Sequence, residues 1–199
     1  MPPTVLLVGT LDTKGPEVAH VRDRLRDLGL GTLVVDAGIL GEPLGIVPDI
    51  GRAEVARCGG TSLAALRAAG SRGEAVRGMR DALRKLVTRL YGEGRVQAGV
   101  ALGGAEGAVM GAAALQTLPI GVPKVLVSPI ASGHHFFGPL VGTRDMTVVH
   151  SVVDILGLNP VATTVFDNAA AAVWGMLEHG HPLRAPEPGS RRVAVTMLG

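Results

Sequence analysis

Three observations predict a Rossmann-like α/β fold, doubly wound, with a mostly parallel sheet and flanking helices. The continuously apolar run at 5–8, with further predicted strands at 98–102 and 123–128, suits a sheet buried on both faces. Longer segments between them carry apolar residues at helical spacing. The 29 glycines exceed the usual ~7% and gather in short clusters after the predicted strands, not in a repeat.

At 199 residues the chain is long enough to bury a sizeable core. Hydrophobic residues make up 47% and aromatics only 3%, so that core is built from Val, Leu and Ala. Net charge is +2 and the arginines are scattered along predicted helices, with no basic run interleaved with aromatics. That gives nucleic-acid binding no support. Cys58 stands alone, so no internal disulfide forms. Neither a signal peptide nor a bilayer-spanning apolar stretch is present, and the sequence therefore reads as that of a cytoplasmic protein with no membrane partner.

The chain opens on the strand around residues 5–8. A polar loop follows, and Pro16 is pre-set for the first position of a helix starting there, with Glu17 complementing its dipole. Lys14 is out of place just before a helix N-terminus unless an anion sits between the two. Gly9, Thr10, Asp12, Thr13 and Lys14 thus read as half of an anion or nucleotide site, or as an ordinary turn with a solvated lysine. Val18, Val21, Leu25 and Leu28 share one face of the helix, which Gly29 and Gly31 end. Residues 32–35 form the second strand. Asp36 closes it, placed to bond a ribose hydroxyl or to serve as a capping aspartate.

Residues 39–51 read as a long Gly- and Pro-rich loop, followed by short helical pieces at 52–57 and 61–68. Ser71 and Glu74 form a capping-box pattern for a longer helix with Ala75, Met79, Ala82, Leu86 and Leu90 inward. The third strand, 98–102, leads into Gly103, Gly104 and Gly107 and a helix to about Thr117. Bare backbone N–H groups there suit a phosphate. The recurrence of Gly103, Gly107 and Gly111 equally suits a helix lying close on a sheet, and Glu106 would repel a phosphate. After the fourth strand at 123–128, Ser132 and Gly133 either donate to an anion or make a turn. His134 and His135 lack a nearby third metal ligand, and Phe136 and Phe137 fold back, meet a partner or anchor in the core. A short strand at 146–149, a helical segment from Ser151, and a helix capped by Asn159 with Pro160 at its first position complete the main body.

The ordered motifs GTLDTKG at 9–15, VDAG at 35–38, SRGEAV at 71–76, LGG at 102–104, ASG at 131–133, GTRD at 142–145, SVVDILGLN at 151–159 and NAAAAVWGM at 168–176 carry a family resemblance. The chain resembles a largely uncharacterised family whose N-terminal region is described as the ATP-binding domain of the tomato mosaic virus resistance protein type. The resemblance implies a first Rossmann-like ATP-binding subdomain at 1–180, and the Pro-rich, charged composition of residues 181–192 reads as a linker. Residues 193–199 would be the first strand of a second subdomain that this chain does not contain. It implies ATP, with magnesium (Mg), held by Gly9, Thr10, Asp12, Thr13, Lys14, Gly103, Gly104, Gly107, Ser132, Gly133, Thr143 and Asp145, with Asp12 or Asp145 orienting the metal. The family's second loop usually reads GGSGGT where residues 103–108 read GGAEGA, and residues 134–137 intervene in the third. No Ser-His-Asp order, P-loop or metal-ligand spacing is present, so the sequence names no reaction. The alternative is a protein-interaction domain, a homo-oligomer without bound nucleotide, since relatives of the resistance type act by binding another protein.

Overall fold

The computed structural model describes residues 2–132, 138–181, 183 and 189. Its five strands are β1 (Thr4–Gly9), β2 (Gly31–Asp36), β3 (Ala98–Leu102), β4 (Lys124–Ser128) and β5 (Thr147–His150). They form one sheet in the order β2-β1-β3-β4-β5, and every pairing is parallel. Parallel neighbours need crossovers, and these are supplied by α1 (Leu11–Asp27), α2 (Arg52–Gly59), α3 (Leu63–Arg67), α4 (Arg72–Gly92), α5 (Ala105–Leu115) and α6 (Gly138–Val141), with α7 (Pro160–His179) closing the fold.

Alternation along the strands builds two cores. Leu6 and Val8 of β1 face α2, α4 and α5, meeting Val55, Met79, Leu83 and Leu115. Val5 and Leu7 face the other way, meeting Val18, Val21 and Leu25 of α1 and Phe166 and Val173 of α7. Small residues let the helices lie close: a Cβ at Gly111 of α5 would come within 2.5 Å of the Ala101 Cβ on β3. The expected contribution of glycine spacing to helix-on-sheet packing is met at this position.

Local signals explain most element ends. The Ser71 side chain accepts from Glu74 N at the start of α4, and Asn159 accepts from Val161 N and Ala162 N at the start of α7. Three expectations are corrected. The first helix starts at Leu11, not at Pro16, and bends at Lys14, whose φ of −124° and ψ of 19° are non-helical. Thr10 O accepts from both Thr13 N and Lys14 N, so one turn forms before the bend. Pro16 cannot donate and its ring crowds the carbonyl four residues back, which breaks the path without preventing the turn. The segment from Ser151 is not helical but a run of bends to Asn159. Val152 there has a φ of 65°, incompatible with α-helix. The second half of the Ser71 and Glu74 capping box is also missing among the described bonds; only Glu74 N donates.

Among the described residues no helix is long and apolar enough to cross a membrane. Gly133, the His134–Phe137 loop, most of the 181–192 segment and the expected strand at 193–199 lie outside the described residues.

Candidate functional site

The strand order puts a topological switch between β1 and β3: the chain leaves β1 for α1 on one face and β3 for α5 on the other. A crevice therefore opens at the carboxyl ends of these two strands, where open α/β sheets bind their ligands. A cavity of about 550 Å³ occupies it, within the range of small-molecule sites. Its floor is Thr10, Asp12 and Thr13 from the start of α1 and the residues from Gly104 to Gly107 at the start of α5. Its far wall is apolar, from Ile39, Leu66, Val76 and Met110. Ser71 and Arg72 bring the N-terminus of α4 to the same space. Three helices thus direct their positive ends at one cavity.

The turn that starts α1 is set by Asp36. This residue is fully buried, and its Oδ1 accepts from Leu11 N at 3.1 Å and Gly38 N at 2.8 Å. Burial pushes its carboxyl above the usual aspartate range, against the opposing pull of those two amides. Asp36 lies behind the cavity lining and caps the start of α1 through Leu11 N, one of the two roles the sequence allowed. Asp12 does line it. Its Oδ2 accepts from Gly41 N at 3.0 Å, tying the 38–47 loop over the site. Leu44 N donates to Leu11 O at 2.9 Å, and the loop passes so close that only glycine fits at position 15. Arg67 holds the other side of this loop through Ile39 O and Leu40 O, at 2.6 and 2.8 Å.

The three glycines of the second loop separate into different roles. A Cβ at Gly103 would sit 2.6 Å from Ala108 N, so its bareness is needed to fold the loop onto α5. Gly104 is the N-cap of α5, without a side-chain cap bond, and a Cβ there would meet nothing. Gly107 faces Thr10 across the cavity floor. Glu106 is neutralised: Arg72 donates to its Oε2 from Nε at 2.8 Å and Nη2 at 2.6 Å. Thr10 and Thr13 share a hydroxyl hydrogen bond of 3.0 Å. Lys14 borders the cavity, yet its ammonium donates to the Ile155 carbonyl on the opposite side of α1.

Of the residues singled out in the sequence, the cavity gathers Thr10, Asp12, Thr13, Lys14, Gly104 and Gly107. Gly9 lies beneath, where a Cβ would press on Val18. Ser132 sits in the loop after β4 and outside the lining. Asp145 is at the other edge of the sheet. It pairs with Lys124, the first residue of β4, at 2.8 Å and accepts from Gly121 N at 2.7 Å. Exposed Thr143 is on the same side, next to Arg144, which donates to Gln116 O at the end of α5. Sequence reading missed Ser71, Arg67 and Arg72 as site residues. They come from segments far from both glycine loops; the SRGEAV motif and the cap pattern marked Ser71 and Arg72 without pointing to a ligand, and Arg67 carried no local signal.

The chain matches the model of the N-terminal domain of an uncharacterised protein family, UPF0261, over residues 3–182. It is similar to a UPF0261 protein of Clostridium tetani, 37% identical over 196 residues, covering 98% of this chain and 47% of that protein. A UPF0261 protein of Rhizobium meliloti is 33% identical over 195 residues, covering 98% of this chain and 46% of its own length. The tomato (Solanum lycopersicum) ToMV susceptible protein tm-1(GCR26) is 33% identical over 189 residues, covering 88% of this chain and 25% of that protein. The chain therefore spans about half the length of the bacterial relatives. By the extent of the match, the chain belongs to the UPF0261 family, in the part that forms its N-terminal domain.

Proposed function

We propose that this chain is a nucleotide-binding domain whose ligand is ATP with magnesium. The observation that carries the reading is the uncapped start of α5 opening onto the cavity at the β1/β3 switch. Unpaired N–H groups at a helix N-terminus, next to an open Gly104, make a phosphate cradle. The hydroxyls of Thr10 and Thr13 add donors. Ile39, Leu66, Val76 and Met110 offer an apolar wall of the kind a base requires.

The charge balance is compatible. Arg67 and Arg72 offset Asp12 and Glu106 in the cavity lining, so the modest positive surplus comes from the helix dipoles, with Lys14 at the border. A magnesium-bound nucleotide, which carries less charge than the free triphosphate, suits that surplus. Among the described residues no group of three or more His, Cys, Asp or Glu could hold a metal ion. Magnesium would accordingly be shared between Asp12 and the phosphates, a common arrangement for this ion. Asp145 is too far away to take part.

Gly104→Asp tests the reading. The new carboxylate would cap α5 and occupy the cradle, so stability should hold or rise by a few tenths of a kcal/mol, about the N-cap gain. In calorimetric titration with ATP and magnesium the variant should lose at least about tenfold in affinity, the worth of a charge-assisted phosphate contact. No heat at millimolar ATP, in this chain and in a full-length relative alike, overturns the proposal.

A second reading, a homo-oligomer that assembles without nucleotide, draws on the exposed aliphatic side chains Leu40, Val47 and Leu156. Static light scattering separates the two: assembly independent of ATP favours the second, a monomer that binds ATP the first.

A further inference from the structure

The segment after β5 is neither helix nor strand, and α1 holds it at two points. Lys14 Nζ donates to Ile155 O, and Gly157 N donates to Glu17 Oε1 at 2.6 Å. Ile155 is buried against α1 and α7, whereas Val152 and Leu156 project into solvent. Two features mark this arrangement as incompletely satisfied. Val152 is the one non-glycine residue with positive φ among the described residues, a conformation that a β-branched side chain adopts only at a cost. Glu17 is 1% exposed, and its Oε2 is buried with no hydrogen-bond partner.

Lys14 connects this segment to the cavity. It borders the cavity beside Thr10 and Thr13, and it is the residue at which α1 bends. A phosphate oxygen is a stronger acceptor for an ammonium than a neutral carbonyl. We propose that Lys14 is a switch residue with two partners: an anion bound in the cavity draws its ammonium from Ile155 and releases the 151–158 segment. The proposal rests on the nucleotide-site reading only in requiring that the occupant be anionic. Cavity occupancy would then be signalled on the surface, through the segment bearing Val152 and Leu156. Glu17, close in sequence and facing the same segment, would keep its bond to Gly157 and act as the hinge tether.

Amide hydrogen exchange at Val153, Leu156 and Gly157 reads the state of the segment, since each of these N–H groups is bonded within it or to α1. Without ligand, Lys14→Met should exchange about tenfold faster at these amides than the parent chain, the effect of losing one charge-assisted bond. In the parent chain ATP with magnesium, or inorganic pyrophosphate, should cause a similar acceleration, with no further change in Lys14→Met. Val152→Gly, which relieves the strained backbone outside the cavity, should slow exchange and weaken ATP binding about threefold. Thermal melts establish that both variants are folded, and Val152→Gly carries the test if Lys14→Met is not.

Unchanged exchange in folded Lys14→Met, or unchanged exchange in the parent chain with ATP or pyrophosphate bound, overturns the switch and leaves the nucleotide reading intact. Binding of pyrophosphate but not ATP, with faster exchange, overturns the nucleotide reading and supports the switch. If neither anion binds, the switch falls, and the nucleotide reading falls with it when a full-length relative binds no ATP either.

Discussion

Replacing Lys124 with methionine decides whether Asp145 belongs to a structural clamp or to the ligand site that the resemblance assigned it. The Lys124 side chain is fully buried, and its ammonium donates to Pro119 O at 2.7 Å, Val122 O at 2.5 Å and Asp145 Oδ1 at 2.8 Å. Methionine fills nearly the same volume, so little packing is lost. What disappears is the donor for two carbonyls and the counter-charge for a carboxylate. Breaking a buried pair from one side costs about 3–5 kcal/mol. Asp145 is 41% exposed and regains water, which places the expectation near the lower end, about 3 kcal/mol. For a chain of this size that corresponds to a fall in Tm of roughly 6–12 °C.

Urea denaturation followed by circular dichroism at pH 7 measures the cost. Acidification supplies an independent sign. Burial alone would raise the Asp145 carboxyl, but the Lys124 ammonium and the Gly121 amide outweigh it and hold the carboxyl below the usual range. A depressed folded-state pKa gives stability that is present above the ordinary aspartate value, about 3.9, and is lost as pH falls through the lower one. The gap between parent and Lys124→Met should therefore narrow below about pH 4. Asp145 lies a strand length from the cavity, roughly 15 Å at about 3.3 Å per residue, which exceeds the Debye length of about 8 Å. Asp145→Asn should therefore change ATP affinity by less than about twofold. A stability loss below about 1 kcal/mol in Lys124→Met, or a tenfold loss of affinity in Asp145→Asn, would refute this reasoning.

The two neighbouring glycines should behave oppositely. Gly103→Ala forces a Cβ onto the backbone of Gly107 and Ala108 and should cost about 2–3 kcal/mol, whereas Gly104→Ala meets open space and should stay within about 1 kcal/mol of the parent. Equal unfolding midpoints in urea would show that the loop is not packed as described. Asp36→Asn should flatten a pH dependence of the opposite sign to that of Asp145. Burial raises the Asp36 carboxyl, so the parent loses stability as pH climbs from about 3.9 to that higher folded value. The stability of Asp36→Asn relative to the parent should increase through this window and then level; a constant difference across pH 3–7 in urea titrations would count against a desolvated carboxylate. Asn159→Ala removes the cap from Val161 N and Ala162 N and should cost about 1 kcal/mol, checked in the same way.

The sequence by itself determined the sheet and most of its helices. Apolar runs such as Val5 to Val8 are long enough for a strand and carry no alternation, so burial on both faces follows. Ser71 and Asn159 announce the helices they cap because a cap is a bond between near neighbours, complete within four residues. Thr10, Asp12, Thr13, Gly104 and Gly107 were legible as site candidates for a related reason: loops after parallel strands must emerge at the carboxyl edge. The bends of 151–158 were not legible. Val152, Val153 and Leu156 have helical spacing, but bonds from Lys14 and Glu17 of α1, the Ser151 N bond to Ser128 O and the burial of Ile155 hold the segment otherwise.

The tertiary structure alone decided which candidates meet. Asp12 and Asp145 are similar aspartates in polar stretches of sequence, yet strand direction sends one to the carboxyl edge and the other to the amino edge, where it meets Lys124. Glu106 reads as an obstacle to phosphate until Arg72, distant in sequence, is brought against it. Such pairings depend on how helices from separate crossovers pack around the sheet. Local propensity carries no record of those distances, because they are fixed only when both cores close.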